Sequence, residues 1–123
     1  MSKAQIEITQ QFGFDAAHYL GDAPSQNNRR LHGHSFFAEV TLKGEPDPTQ
    51  GWVRDFNEVN AALSSIREEL DHQLLNDIAG LGAPTLENLA RYIFRRAKER
   101  LPEVHRVKLT RPSVGQSCVY EEI

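Results

Sequence analysis

Two apolar stripes of helical spacing in the middle of the chain constrain its fold more than any other feature. Phe56, Val59, Leu63, Ile66 and Leu70 recur in steps of three and four. So, with one extra neighbour, do Leu86, Leu89, Ala90, Ile93, Ala97 and Leu101. Spacing of this kind puts each set on one side of an α-helix that must be buried against something. Asp55 and Glu58 have capping-box spacing ahead of the first stripe, and Thr85 is a good N-cap for the second, which Pro102 ends. Strand-like runs flank the pair on both sides, at 5–18 and 35–43 before it and about 105–111 and 116–122 after it. In the first run Ile6, Ile8, Phe12 and Phe14 share one parity, as a half-buried strand requires. The turn-rich segment 21–28, the loop 44–51 and Pro112-Ser113-Val114-Gly115 supply the connections. The order is ββααββ. It predicts an α+β fold, a four-stranded antiparallel sheet with both helices on one face. The other face then needs a partner or stays wet.

A chain of 123 residues favours one domain over 1–123, and six Phe, three Tyr and one Trp are enough aromatics for its core. The formal charge of -3 and the lack of a basic cluster interleaved with aromatics argue against nucleic acid as the main partner. Arg95-Arg96 with Lys98 and Arg100 alternates around the second helix and reads as a solvated face. No run is long enough to span a membrane, so a cytoplasmic protein is the default expectation. Cys118 is the only cysteine; no internal disulfide is possible, and it reads as a small buried hydrophobe.

His32 and His34, in Leu31-His32-Gly33-His34-Ser35-Phe36, stand at the mouth of the second strand. In extended chain they project from one face with Cβ atoms roughly 6–7 Å apart, which suits two imidazoles converging on one metal ion. Gly33 between them leaves room for close approach of metal or substrate. His18 ends the first strand. If the two strands pair, it returns beside His32 and His34. Three neutral imidazoles leave a tetrahedral Zn2+ one open position, as catalytic sites do. A lone His-x-His is more often an ordinary polar pair near a loop; His18 turns the balance towards metal.

Five stretches resemble a known family. They are Phe14-Asp15-Ala16-Ala17-His18, Leu31-His32-Gly33-His34-Ser35-Phe36, Gly51-Trp52-Val53-Arg54-Asp55-Phe56, Leu70-Asp71-His72-Gln73-Leu74-Leu75-Asn76-Asp77 and Pro84-Thr85-Leu86-Glu87-Asn88-Leu89-Ala90. In this order and spacing the chain resembles the 6-pyruvoyl-tetrahydropterin synthases, most closely their bacterial branch, the 6-carboxytetrahydropterin synthases of queuosine biosynthesis. The resemblance implies a tunnelling fold, whose ββααββ subunits close into trimeric barrels stacked as a homohexamer. It implies zinc on His18, His32 and His34. It also implies a pterin substrate, 7,8-dihydroneopterin triphosphate, bound where subunits meet and cleaved to 6-carboxytetrahydropterin with loss of triphosphate and acetaldehyde. Asp71-His72 matches the family's proton relay, and a histidine suits proton transfer near neutral pH. On a continuing helix adjacent residues diverge, so the pair cooperates only if the helix ends there.

Two family features are missing. A cysteine usually precedes His-Gly-His by a few residues, but here the two usual spacings hold Asn28 and Gln26. An amide orients a hydroxyl or a water and is no base near neutral pH; losing a general base commonly costs about a hundred- to ten-thousand-fold in rate. The family's Glu-Thr pair ahead of the last strand, which grips the pterin, is also absent from Lys108-Leu109-Thr110-Arg111-Pro112-Ser113-Val114-Gly115-Gln116. Asn28, Thr110 and Gln116 are therefore the candidate polar contacts to substrate. Glu87, in the first turn of the second helix, either reaches a ligand or complements the helix dipole. Arg29 and Arg30 either receive the triphosphate or belong to a solvated turn.

Overall fold

The computed structural model describes residues 4–123. Four strands, β1 (Ile6–His18), β2 (His32–Gly44), β3 (Val104–Arg111) and β4 (Gln116–Glu121), form one sheet in the order β1-β2-β3-β4, every neighbour antiparallel. A single-turn helix α1 (Gln26–Arg29) lies in the β1–β2 connection, where the sequence reads as turn alone. The long helices α2 (Phe56–Leu70) and α3 (Leu86–Arg100) bridge β2 to β3. Helix α2 packs on β1, and α3 packs on β3 and β4. The ββααββ order and the antiparallel sheet covered on one face are as the periodicities predict.

Alternation explains which face is covered. Phe14 and Ala16 of β1, Phe36, Ala38, Val40 and Leu42 of β2, and Val107 and Leu109 of β3 are buried. Each set has one parity, so all point to the helices. Val59, Ala62, Leu63, Ile66 and Leu70 meet them from α2. Phe56 departs from the expected stripe: it is 48% exposed, because the first helical position precedes the packed layer. The opposite correction applies to Phe94, which is 1% exposed; it stands four residues after Ala90 and belongs to the stripe, although the expected set leaves it out. Helix α3 touches both α2 and the sheet, which widens its buried face to take in this ring. Leu75 and Leu81, in the connection between the helices, complete the core.

The caps are partly as expected. Asp55 accepts from the Asn57 N–H at 2.9 Å, but the reciprocal half of the capping box does not form. Glu58 instead binds Arg54 at 2.8 Å, and Arg54 also grips Glu103 through Nε and Nη2, each at 2.8 Å. Thr85 caps α3 through the Asn88 N–H. The basic stretch on α3 is solvated but engaged. Arg96 pairs with Glu69 and Glu99, Arg95 pairs with Glu122, and Lys98 donates to the Val104 carbonyl. Cys118 is half-buried against the core; burial pushes its thiol pKa up, as befits a packing residue.

Candidate metal centre

Strand β2 begins at His32, three residues earlier than expected. The histidines therefore lie within the sheet, not in front of it. His18 pairs directly across from His32, and His34 pairs with Ala16. The three histidines continue the core-facing parity of Phe14 and Ala16 on β1 and of Phe36, Ala38 and Val40 on β2. At the end of the sheet the inward row changes from hydrocarbon to imidazole. Gly33 points to the other face. Its missing Cβ would lie 3.3 Å from the Ala16 carbonyl oxygen, so glycine here lets the two strands pair closely.

Second contacts fix the rings. His18, 1% exposed, donates from Nδ1 to the Pro84 carbonyl at 2.8 Å. His32 donates from Nδ1 to the Arg30 carbonyl at 2.7 Å. A neutral imidazole that donates from Nδ1 carries its lone pair on Nε2. The two Nε2 atoms nonetheless face each other at 3.0 Å, acceptor to acceptor. Such a pair needs a cation between its members. A proton is a poor candidate, because burial, more than its neighbours, lowers the pKa of His18. His34 closes the group: ligand atoms of all three residues lie within 4.8 Å of one another. Its pKa is lowered to about 4, first by burial and then by the charges of Arg111, His18 and His32. Tetrahedral zinc with Zn–N bonds of about 2.0–2.1 Å sets its nitrogens roughly 3.3 Å apart, close to the 3.0 Å between the Nε2 atoms of His18 and His32. The donor set fits a divalent metal, and the Nδ1 atoms of His18 and His32 are anchored to carbonyls.

The histidines open into a cavity of about 510 Å³, lined also by Asn27, Asn28, Arg30, Arg111 and Gln116. Asn28 and Gln116 are thus brought to the triad. Gln26 is not among the lining residues. Arg29 is turned away, its guanidinium donating to the Ala23 and Pro24 carbonyls to hold the loop. Arg111 has no role in the sequence reading, yet it is the last residue of β3 and shares the inward parity of Leu109. That parity is the signal that finds it. Thr110, one residue earlier, has the opposite parity and lines neither this cavity nor the next. Glu87 is exposed at the start of α3, also outside both.

Asp71-His72 meets its condition. Asp71 is the C-cap of α2 with φ -68 and ψ 130, so the helix has ended, and His72 turns into left-handed backbone at φ 60. The following residues dock on the free edge of β1. His72 N–H donates to the Asp15 carbonyl at 2.7 Å, Ala17 N–H to the Gln73 carbonyl at 3.0 Å, and Asn76 exchanges hydrogen bonds with Tyr19. The Asp71 carboxylate accepts from Asp15 N–H at 2.9 Å and lies 3.0 Å from His72 Nδ1 and 3.2 Å from Arg67. The Asp15 hydrogen bond leads these contacts in holding its pKa below the usual carboxylate range. His72, its side chain 79% exposed, lines a second cavity of about 660 Å³ with Asp15, Ser35 and His34. The two cavities are therefore neighbours that share His34.

Fold and site together define an α+β protein with a three-histidine group able to hold a metal at one end of its sheet. Residues 7–123 match the family described as 6-pyruvoyl tetrahydropterin synthase, and the chain belongs to that family. Over 108 residues it is 38% identical to a 6-carboxy-5,6,7,8-tetrahydropterin synthase of Synechocystis sp., covering 83% of each chain. It is 37% identical over 112 residues to a dihydroneopterin monophosphate aldolase of Pyrococcus furiosus, covering 91% of this chain and 90% of the relative. The solved 6-pyruvoyl tetrahydropterin synthase of Caenorhabditis elegans superposes with a TM-score of 0.86 at 24% identity, over 100% of this chain and 99% of the other. Among the described residues no helix is long and apolar enough to cross a membrane.

Proposed function

We propose that this protein is a zinc-dependent carbon–carbon lyase acting on the side chain of a 7,8-dihydroneopterin phosphate. Its first reading is the 6-carboxytetrahydropterin synthase reaction of queuosine biosynthesis, on the triphosphate. The observation that carries the proposal is the converging triad with two ring tautomers locked by carbonyls. His18, His32 and His34 would hold the metal, which as a Lewis acid acidifies the hydroxyls of the substrate side chain. Asn28 and Gln116 orient those hydroxyls. Asp71 orients His72, so His72 can carry a proton to or from carbon.

A second reading within the same class has its own support. Asn28 stands in the metal cavity where an ionisable group is expected. An aldolase cleavage needs only a base at one side-chain hydroxyl and an acid at the carbon released, yielding a hydroxymethyl pterin and a two-carbon aldehyde. The similarity to a dihydroneopterin monophosphate aldolase points the same way. Zinc-loaded protein given dihydroneopterin triphosphate and monophosphate, with products read by mass spectrometry, separates the two. A 6-carboxy product supports the first reading and a hydroxymethyl product the second. No cleavage of either by zinc-bound protein refutes both.

The proposal extends to assembly as a cytoplasmic homohexamer of single-domain subunits. Phe37 is 46% and Val119 55% exposed on the sheet face away from the helices, a surface that trimeric barrels would cover. His72 would serve a site completed by a second copy, a reading supported by its exposure beside the metal cavity rather than inside it.

A further inference from the structure

The cavity in front of the histidines is cationic in a chain of net charge -3. Its polar lining consists of His18, His32, His34, Asn27, Asn28, Gln116 and two arginines, with no carboxylate. Arg30 lies on the exposed loop, but Arg111 is built into the sheet. It closes β3, and its cross-strand partner Gln116 opens β4 beyond the tight turn Pro112–Val114. One guanidinium nitrogen, Nη2, donates to Gln116 Oε1 at 2.7 Å. Nε is buried and has no hydrogen-bond partner among the described residues. A buried charged donor left unpaired is costly, and native structures keep one chiefly where a ligand or ordered water completes it. Three of the four groups that could neutralise a guanidinium in a fold (Asp, Glu, a chain terminus) are absent from this cavity, which leaves a bound anion.

We infer that Arg111 is the anion receptor of this cavity, and that it binds the phosphate group of the substrate beside the metal. A guanidinium presents two parallel N–H donors that match two oxygens of a phosphate, and Gln116 fixes the plane in which they point. Arg30 across the cavity adds a second positive charge, which suits a dianion better than a carboxylate. The inference rests on the reading of this cavity as the substrate site. It also deepens that reading, because a triad on one side and a guanidinium on the other demand a substrate with hydroxyls and an anion close together.

The test is binding of inorganic phosphate to zinc-loaded protein by calorimetry, comparing wild type with Arg111→Gln, Arg111→Lys and Arg100→Gln. Arg100, at the far end of α3, controls for net charge. The inference predicts that Arg111→Gln weakens phosphate roughly ten- to a hundredfold. Arg111→Lys recovers part of the loss, Arg100→Gln binds as wild type, and zinc content and melting temperature stay unchanged. Equal phosphate affinity in wild type and Arg111→Gln would overturn it. So would an equal loss in Arg100→Gln, or loss of zinc together with phosphate. Acetate binding as strongly as phosphate overturns the assignment to phosphate. Failure of the pterin reading shows separately, as no binding of unphosphorylated 7,8-dihydroneopterin by wild type.

Discussion

Acidification should unfold the metal-free protein chiefly through its histidine cluster, and His34 allows the effect to be sized. Its pKa is 6.5 in an unfolded chain and about 4 in the fold. The folded form therefore favours the neutral ring. Above the unfolded value both states are neutral and nothing is lost. Between the two values the unfolded chain binds the proton and the native state does not, so stability falls with pH, and the loss levels off below the folded value. At pH 5 the two proton-binding terms differ by about thirtyfold, which is about 2 kcal/mol from His34 alone. A domain with a total stability of about 5–15 kcal/mol notices such a loss. The assay is urea unfolding of metal-free protein from pH 8 to pH 5, for wild type and His34→Gln. Wild type should lose at least that amount, because the lowered pKa of His18 adds to it in the same direction. His34→Gln should have a flatter profile by about 2 kcal/mol, with the m-value unchanged. Parallel profiles for the two proteins would refute the argument that the fold holds His34 neutral.

Four further outcomes follow. His72→Ala should keep zinc and fold while slowing turnover about a hundred- to ten-thousand-fold, measured as kcat on the cleaved pterin. Gly33→Ala presses a methyl against the Ala16 carbonyl at 3.3 Å. It should cost about 1–3 kcal/mol in urea unfolding and weaken zinc, because His32 and His34 flank it. Glu69→Gln replaces with an uncharged amide the carboxylate that binds Arg96 and accepts from Tyr92 at 2.7 Å. Ultraviolet titration should then show Tyr92, whose pKa burial and Glu69 push up to about 12, ionising at lower pH. Asn28→Cys, in the cavity, should change lyase turnover strongly, upward for the triphosphate reaction or downward for the aldolase; Gln26→Cys, outside the lining, should change it little.

Much of this architecture is legible in the chain because it rests on periodicity. The stripes at 56–70 and 86–101 give the helices, and alternation in β1 places His18 on the face of Phe14. The same alternation run backwards from Phe36 brings His34 and His32 inward, and it would have found Arg111 from Leu109. What periodicity lacks is partners distant in sequence. The carbonyl that orients His18 belongs to Pro84, 66 residues away, and no local pattern announces it. The left-handed backbone at His72 is legible only as the need for α2 to stop; the docking of 72–76 on β1 is a tertiary event. Thr110 and Gln116 look equivalent in one loop. A strand register that puts Thr110 opposite Phe37 and Gln116 opposite Arg111 separates them.

The central claim is that His18, His32 and His34 hold one metal ion. X-ray absorption at the zinc edge, with zinc content counted per chain, tests it most directly. The account predicts one zinc per chain, with three imidazole nitrogens at about 2.0–2.1 Å and a lighter fourth donor. It also predicts that His18→Ala loses the ion while Arg100→Gln keeps it. Full zinc retention by His18→Ala, or a coordination shell without imidazole, would contradict it.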